Sequence, residues 1–149
     1  MLRRLLPEAI PYDNAAPGAG AKGAYVLVAT LDRPLAIARG RVAGVLVPGR
    51  YVYAGSARGG GGIAARLNRH LRPQKNIHWH IDHLTAVARP AAFALPGGSE
   101  CGIVARLCAP GRFRAALPGF GSSDCRRCAA HLLRYVGAVE AIRPKNRSA

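Results

Sequence analysis

The chain has 149 residues, which suits one domain of ordinary size, and it carries 22 Lys and Arg against 7 Asp and Glu, a net charge of +15. A hydrophobic content of 50% argues against a chain that is disordered and basic throughout. Arg accounts for 19 of the cations, and its planar fork suits phosphate, so nucleic acid is favoured over a membrane surface as the partner. Genome base composition would explain part of the Arg excess but not the shortage of carboxylates.

Neither a membrane span nor a secretory signal is expected. The chain has no run of about 18 apolar residues. Near the start, only Leu5 and Leu6 form an apolar run before Pro7, which is too short for a signal core. We therefore expect a soluble, cytoplasmic protein with no membrane partner. In that reducing compartment the four cysteines are expected to be free thiols or metal ligands rather than disulfides.

The chain is expected to consist of a lead-in, one domain and a tail. Residues 1–22 contain several Pro, Gly and Ala without a sustained period, which predicts a loosely ordered lead-in. The single domain covers residues 23–142. Residues 143–149 form a basic, polar tail that is expected to fray.

Three segments at the start of the domain predict β-strands. Residues 23–31 (GAYVLVATL) and residues 41–47 (RVAGVLV) are rich in β-branched side chains and end at turn residues. Residues 50–55 (RYVYAG) alternate ring and small side chains after the turn at Pro48 and Gly49. Three strands joined in this way predict an antiparallel sheet at the centre of the domain.

Two helices are predicted next. Ile63, Leu67 and Leu71 recur at four-residue intervals, which predicts a helix over residues 63–71 that begins directly after a glycine-rich loop. Asn76 is a suitable N-cap for a second helix. The buried stripe of that helix would consist of Ile77, Ile81, Leu84 and Ala88.

A strand and a third helix follow in the second half of the domain. Residues 91–95 predict a strand, which the Pro and Gly after it would end. Ser99 or Glu100 would begin a helix, so that Glu100 lies in the first turn. Residues 131–136 (HLLRYV) are compatible with either a helix or a strand.

A glycine-rich loop between a strand and a helix is suited to binding a phosphate. Residues 59–62 (GGGG) would offer free backbone amides at the positive end of the helix dipole. The loop matches neither the Walker pattern, which requires Gly-Lys-Ser/Thr, nor a dinucleotide motif. Arg66 and His70 share one face of the helix, where the Arg66 guanidinium would clamp the phosphate. A flexible turn without a ligand is the alternative for the glycines.

Several short blocks of sequence follow one another in a defined order along the domain. GAY at residues 23–25 and YAG at residues 53–55 precede a helix with Arg66 and His70, and an isolated Glu100 follows. The strings YVYAGSA, RLNRH, HWHIDHL, EC and GFGSSDC extend the match. Together they closely resemble the small stand-alone Uri-type branch of the GIY-YIG nuclease superfamily. The resemblance covers nearly the whole domain.

The resemblance implies a small α/β fold of the α+β type, with a central antiparallel three-stranded sheet flanked by helices. It also implies an endonuclease that hydrolyses phosphodiester bonds in DNA with Mg²⁺ or Mn²⁺. Tyr25 would lie near the attacking water, Tyr53 would be a second ring at the site, and Arg66 would clamp the phosphate. A base role for Tyr25 would need either a lowered pKa or a partner such as His70 to take the proton. Glu100 would hold the metal.

Nucleic-acid contacts are expected from the loop before the first helix, from that helix and from the segment after it. DNA, single- or double-stranded, is the expected partner, and the basic charge fits RNA as well. The alternative function is a basic nucleic-acid-binding module with little or no turnover, stabilised by zinc. The candidate contact residues are Arg58, Gly59, Gly60, Arg69, Arg72, Lys75, His78 and His80.

The chain departs from the superfamily pattern at three places, one of which is the Ala at the middle position of both short motifs, Ala24 and Ala54. The gap between Tyr25 and Tyr53 is longer than is typical and holds an added strand segment. The asparagine that often ends the domain has no counterpart, since Asn76 and Asn146 lie elsewhere. The pairing of the sheet and the residues that support the site are therefore expected to differ.

A second candidate site contains sulfur ligands. Cys125, Cys128 and His131 follow one another at three-residue intervals, and Cys101 is available from an earlier helix. Together they would form a tetrahedral site for structural zinc. Reduced thiols buried in the core are the alternative.

Another polar cluster consists of His78, His80, Asp82 and His83. These residues cannot easily ligate one ion because only some of them share a helix face. The segment is interpreted either as a substrate-facing helix or as a solvated face with Trp79 packed inward. Further along the chain, Asp124 is either a helix cap or a site residue.

Overall fold

The computed structural model describes residues 1–13, 21–122 and 125–137, which form a mixed α+β fold with antiparallel sheets. Asp124, Asn146 and the expected tail at 143–149 lie outside the described residues. None of the described helices is long and apolar enough to cross a bilayer. The helices are α1 (Leu2–Leu5), α2 (Gly62–Leu71), α3 (His80–Thr85) and α4 (Glu100–Cys108). The strands are β1 (Ile10–Pro11), β2 (Gly23–Leu31), β3 (Leu35–Arg39), β4 (Val42–Leu46), β5 (Gly49–Ala57), β6 (Ala91–Pro96), β7 (Phe113–Ala115) and β8 (Leu132–Tyr135).

Six strands form the main sheet in the order β1-β6-β2-β5-β8-β7, with every neighbouring pair antiparallel. Its centre is the long pair β2 and β5, in which Tyr25 lies opposite Gly55. On the other side of β2, Tyr25 lies opposite Ala94 of β6. Tyr25 is therefore flanked by small residues on both neighbouring strands.

The segment between β2 and β5 forms a separate two-stranded sheet. β3 and β4 pair with each other along their whole length, joined by a tight turn at Gly40, which has a φ of 60°. The prediction that residues 41–47 join residues 23–31 and 50–55 in a three-stranded sheet is therefore wrong. The predicted strand at residues 41–47 pairs in a local hairpin and does not join the main sheet. The main sheet instead contains β6, β8, β1 and β7 beside β2 and β5.

Both faces of the main sheet are covered, which explains the nearly continuous apolar run of β2. Successive side chains of a strand point to opposite faces. Tyr25 and Leu27 belong to the core cluster that contains the apolar stripes of α2 and α3. Ala24 and Val26 belong to the cluster on the other face, which contains the buried side of α4. A strand buried on both faces needs apolar residues at every position.

The helix α3 begins later than predicted, directly after Trp79. The carboxylate of Asp82 accepts hydrogen bonds at 2.8 Å from the backbone N–H groups of His78 and Trp79, so it caps the helix from within its own first turn. Asn76 is therefore not the N-cap. Ile77, which was expected in the buried stripe, lies before the helix and is 38% exposed.

The third predicted helix and the ambiguous segment at residues 131–136 are both resolved by the structure. Ser99 caps α4 by accepting a hydrogen bond at 3.1 Å from the N–H of Gly102, which places Glu100 in the first turn as predicted. The segment at 131–136 contains the strand β8, which pairs with β5. Its apolar residues Leu132 and Leu133 are buried on opposite faces of the sheet.

The first 13 residues are packed against the domain, whereas the sequence predicted a loosely ordered lead-in. β1 pairs with β6 at one edge of the main sheet. Leu6 is 1% exposed in the same core cluster as α4. Glu8 forms an ion pair with Arg106 of α4. Burial of the Leu6 side chain stabilises this segment, although the segment is too short to show a periodic apolar pattern.

Candidate functional site

A cavity of about 760 Å³ lies where the central strands meet the beginnings of two helices. Its walls come from β2, β5, the end of β3, α2, the first residues of α3 and α4, and the loop before β8. The structure therefore brings together residues that are far apart in sequence. The predicted site residues that line the cavity are Tyr25, Tyr53, Arg58, Arg66, His78, His80, Glu100, Cys101, Cys125 and His131.

Tyr25 and His70 form a buried hydrogen-bonded pair beside this cavity. The Tyr25 hydroxyl lies 2.7 Å from Nε2 of His70, and the centres of the two rings are 5.2 Å apart. Tyr25 is 3% exposed and His70 is 1% exposed. His70 comes from α2, one turn after Arg66, so the two side chains lie on the same side of the helix.

Burial changes the proton equilibria of the aromatic groups at the cavity. It raises the pKa of Tyr25 well above the usual 10, and the neighbouring Tyr53 adds to this effect. Burial also raises the pKa of Tyr53 to about 12 and lowers the pKa of His70 to about 4. At neutral pH both phenols are therefore protonated and the imidazole is neutral. A neutral imidazole nitrogen can accept a proton from Tyr25.

Two glycines leave space for the tyrosine rings. A Cβ on Gly55 would lie 2.6 Å from Cε2 of Tyr25. Gly121 has a φ of +68°, and a Cβ there would lie 2.6 Å from Cε2 of Tyr53. Neither glycine was named as a site residue from the sequence. Gly55 ends the YAG motif, but its function depends on the cross-strand pairing with Tyr25, which the sequence does not reveal.

Arg66 and Arg69 of α2 both stack on the ring of Trp79. Their Cζ atoms lie 4.4 Å and 4.3 Å from the centre of the indole ring. Arg66 and Trp79 also line the cavity. The guanidinium of Arg66 is therefore held at the cavity of the two tyrosines by an aromatic contact.

Asp82 is buried and binds both Arg69 and the backbone of Trp79. It is fully shielded from solvent, and its two carboxylate oxygens accept hydrogen bonds at 2.7 Å and 2.8 Å from the fork of Arg69. Burial by itself would raise the pKa of Asp82, but hydrogen bonds from Arg69 and from the backbone of Trp79 and His78 outweigh it and hold the pKa well below the usual range. Asp82 is thus neither solvated nor facing the cavity.

Glu100 lies half-buried in the first turn of α4 and lines the cavity. Within the described part of the chain its carboxylate forms no ion pair or hydrogen bond. A carboxylate without a protein cation partner at the rim of a cavity is suited to a hard divalent ion, which takes oxygen ligands.

The cavity is strongly basic. Five arginines and a single carboxylate, Glu100, are among its described lining residues. Three of these arginines were not predicted as site residues from the sequence. They come from the β3–β4 hairpin and from the loop before β8, and their charge was the only sequence feature that indicated a role. The five arginines are Arg39, Arg58, Arg66, Arg126 and Arg127.

The remaining predicted nucleic-acid contacts are spread over the surface near α2. Gly59 and Gly60 are exposed in the loop before α2. Arg69 is engaged by Asp82, although it also reaches a second pocket of about 560 Å³. That pocket is lined by Arg69, Arg72, Gln74, Lys75 and Asn76.

One protein family matches most of the chain. The family is described as a domain of unknown function, DUF123, and the match covers residues 24–146. The chain belongs to the DUF123 family. It matches no curated protein and no solved structure. The DUF123 match includes every residue that lines the cavity, whereas α1 and β1 precede it.

The DUF123 region also contains the cysteine cluster. Cys101 of α4 and Cys125, Cys128 and His131 of the segment before β8 each offer one ligand atom, and these four atoms lie within 4.8 Å of one another. The Sγ atoms of Cys101 and Cys125 are 3.4 Å apart, and all four cysteines of the chain are free thiols. His131 is 5% exposed, and its Nε2 has no hydrogen-bond partner among the described residues. The cluster could bind a metal ion.

Proposed function

We propose that the protein is a divalent-metal-dependent endonuclease of the GIY-YIG type that hydrolyses phosphodiester bonds in DNA. The observation that carries the proposal is the 2.7 Å contact between Tyr25 and His70 at a cavity that also contains Arg66 and Glu100. Phosphodiester hydrolysis needs an acceptor for the proton of water, cations at the phosphate and a site for a metal ion. These four side chains supply those needs.

Tyr25 and His70 would act together on the attacking water. The Tyr25 phenol stays protonated at neutral pH, so it is not a base by itself. Its oxygen can take a proton from water as its own proton passes to Nε2 of His70. Burial keeps the imidazole neutral at neutral pH, so one of its ring nitrogens has a lone pair that can accept a hydrogen bond from Tyr25. The 2.7 Å contact gives the Tyr25 proton a direct path to Nε2, which a tyrosine without a partner would lack.

Arg66 would bind the scissile phosphate, and Glu100 would hold Mg²⁺ or Mn²⁺. The planar fork of Arg66 suits two phosphate oxygens at once. One carboxylate is sufficient for magnesium, which keeps several of its waters. When bound, the ion would neutralise charge on the phosphate and on the departing 3′ oxygen. Tyr53, whose O–H is retained at neutral pH, would donate a hydrogen bond to a phosphate oxygen.

The charge of the cavity supports a nucleic-acid substrate. Arg39, Arg58, Arg126 and Arg127 line it in addition to the clamp at Arg66. A phosphodiester chain carries regularly spaced phosphates, so arginines on several walls can contact the phosphates that flank the reacting one. The net charge of +15 adds a long-range attraction to the same partner.

The arrangement of the central strands supports the same superfamily. β6, β2 and β5 are consecutive, antiparallel and flanked by α2 on one face and α4 on the other. The remaining strands of the main sheet extend this three-stranded centre at its edges. The β3–β4 hairpin accounts for the long gap between Tyr25 and Tyr53.

The cysteine cluster would hold a structural Zn²⁺. It offers three thiols and one imidazole, which fill the four positions of tetrahedral zinc and leave none open for a substrate. Cys101 immediately follows Glu100, whereas the other ligands belong to the segment that carries Arg126 and Arg127. A zinc ion at this point would therefore tie one wall of the cavity to another.

Cleavage of labelled single-stranded DNA, duplex DNA and RNA in the presence of Mg²⁺ or Mn²⁺ tests the proposal. We expect strand scission of DNA that requires the divalent ion and stops when EDTA is added. The alternative, a nucleic-acid-binding module with little or no turnover, would retain labelled DNA on a filter without cleaving it under any metal. That outcome would contradict the endonuclease proposal.

A further inference from the structure

The only tryptophan of the chain lies between α2 and α3 at the wall of the cavity. The centre of the Trp79 ring lies 4.4 Å from Cζ of Arg66 and 5.9 Å from the centre of the His70 ring. One side chain therefore touches both α2 residues that the proposed reaction uses. Trp79 itself has no group suited to proton transfer at neutral pH.

An unrestrained arginine is a poor phosphate clamp. Its side chain has many rotamers, and ordering it when a phosphate binds costs conformational entropy. A guanidinium that already lies on an indole ring has lost much of this freedom before the phosphate arrives, and the attraction between them offsets the loss. The contact between Arg66 and Trp79 thus prepares Arg66 for its ligand.

Trp79 is held in place by Asp82. The backbone N–H of Trp79 donates to Oδ2 of Asp82 at 2.8 Å. Arg69 joins the two residues a second time, because its fork binds the same carboxylate while its Cζ lies 4.3 Å from the centre of the Trp79 ring. Asp82 is fully buried, so water cannot replace a hydrogen bond that is lost. The arrangement of Trp79, Arg69 and Asp82 is therefore confined to one geometry.

We propose that Trp79 is a positioning residue that fixes the guanidinium of Arg66 for the scissile phosphate, and that Asp82 and Arg69 in turn fix Trp79. The inference rests on the proposed function for the identity of the phosphate, but the stacked arrangement belongs to the free protein. It assigns a role to the HWHIDHL segment, in which Trp79 contacts the clamp and Asp82, three residues later, anchors the contact.

A different role for Trp79 would be a stacking platform for an unpaired base. The structure favours positioning because two guanidiniums already stack on the ring. The two roles have different kinetic consequences. Loss of a platform weakens substrate binding, whereas loss of a positioning contact slows the chemical step and acts only through Arg66.

Fluorescence tests the stacking in the free protein, without substrate or turnover, because all tryptophan emission comes from Trp79. Arg66→Ala should shift the emission maximum and make the ring more accessible to the quencher acrylamide. Arg89→Ala, which removes an exposed arginine outside the cavity, is the matched control and should change neither. Emission and quenching that do not respond to Arg66→Ala would overturn the inference.

A double-mutant cycle tests the role in cleavage. Trp79→Leu should lower the single-turnover rate about 10- to 100-fold while KM changes less than about threefold. Trp79→Phe keeps an aromatic face and should recover the rate to within about fivefold; it also keeps the test valid if Trp79→Leu unfolds. In an Arg66→Ala background, Trp79→Leu should cost less than about twofold more. A raised KM that adds fully to the effect of Arg66→Ala would overturn the inference in favour of a base platform.

A separate measurement decides the inference if the wild-type protein cleaves nothing, which would defeat the proposed function alone. A non-cleavable phosphorothioate oligodeoxynucleotide is titrated into the protein while Trp79 emission is recorded. We expect a saturable change in the wild type that is absent in Arg66→Ala, because the phosphate reaches Trp79 through that guanidinium. An unresponsive wild type, or an equal response in Arg66→Ala, would overturn the inference.

Discussion

The ring of Tyr25 on β2 occupies the space that Gly55 leaves on β5, its direct partner across the sheet. A Cβ at Gly55 would come within 2.6 Å of Cε2 of that ring, which is too close for any real side chain. The absence of a side chain at Gly55 thus lets the Tyr25 hydroxyl reach Nε2 of His70 at 2.7 Å. The YAG motif therefore contains Tyr53 and, through Gly55, also leaves space for the ring of Tyr25.

Gly55→Ala should displace the Tyr25 ring and break its hydrogen bond with His70. We expect a loss of about 1–3 kcal/mol in the free energy of unfolding, as is typical of an overpacked core. The cleavage rate should fall at least about 10-fold because the proton relay is interrupted. Urea unfolding and a cleavage assay check the two effects.

The control for stability is Gly60→Ala, since a Cβ at Gly60 meets nothing within 4 Å. It should change the free energy of unfolding by less than about 0.5 kcal/mol, as surface substitutions usually do. Equal stability of Gly55→Ala and wild type would show that the ring does not lie over Gly55 in solution.

His70 should make the protein less stable as the pH falls from 6.5 towards 4. Folding lowers the pKa of His70 from 6.5 to about 4, so between these pH values the unfolded chain binds a proton that the folded protein does not. The stabilisation is complete above pH 6.5 and is lost as the pH approaches 4, a difference of about 3 kcal/mol. Urea unfolding across this range measures it.

His70→Gln should flatten this pH dependence, whereas His78→Gln, which removes an exposed histidine, should leave it unchanged. Comparison of the two variants isolates the contribution of His70 from those of all other titrating groups. If His70→Gln shows the same slope as the wild type, burial does not lower the pKa of His70 and the imidazole is not held neutral by the fold.

The cysteine cluster should yield about one equivalent of zinc per chain when the protein is purified without added metal. Cys128→Ser should lower the zinc content and the melting temperature, because serine is a poor ligand and the segment before β8 would lose its connection to α4. Cys108→Ser is the matched control, since Cys108 lies outside the cluster. Elemental analysis showing less than about a tenth of an equivalent in the wild type would leave these cysteines as ordinary thiols.

Arg126 and Arg127 should contribute to DNA binding mainly through phosphates. Replacing both with alanine should lower affinity for all sequences and reduce the slope of log affinity against log salt concentration by about 2 units. Arg3 and Arg4 of α1, which do not line the cavity, provide the matched pair for comparison. Filter binding at several salt concentrations gives both slopes, and identical slopes would place the DNA elsewhere.

Elements whose signal is local could be predicted from the sequence. The periodic apolar residues of α2, with Ile63 and Leu67 fully buried, and the cap of α4 at Ser99 are determined within a few residues. The start of α3 could not be predicted in this way because its cap is Asp82, which acts from inside the helix and depends on pairing with Arg69 from α2. Strand order was not predictable because residues 41–47 could pair either with a neighbouring segment or with the main sheet.

The difference between local signals and contacts made by distant segments also applies to the site. Tyr25, Tyr53, Arg66 and Glu100 were predicted through a resemblance of ordered motifs, and the structure places them at one cavity. The residues that hold them were missed, because their roles arise only when distant segments meet. Trp79 illustrates this, since its contact with Arg66 requires the segment before α3 to pack on α2.

The most direct test of the central claim is the cleavage rate of Glu100→Gln with Mg²⁺ or Mn²⁺. Glutamine keeps the size of the side chain but removes the charge that a hard cation requires, so we expect cleavage to fall at least about 100-fold while DNA binding persists. Glu8→Gln, which alters a carboxylate paired with Arg106 away from the cavity, should cleave at the wild-type rate. A folded Glu100→Gln protein that cleaves DNA as fast as the wild type would contradict the assignment of Glu100 as the metal-binding carboxylate of an endonuclease.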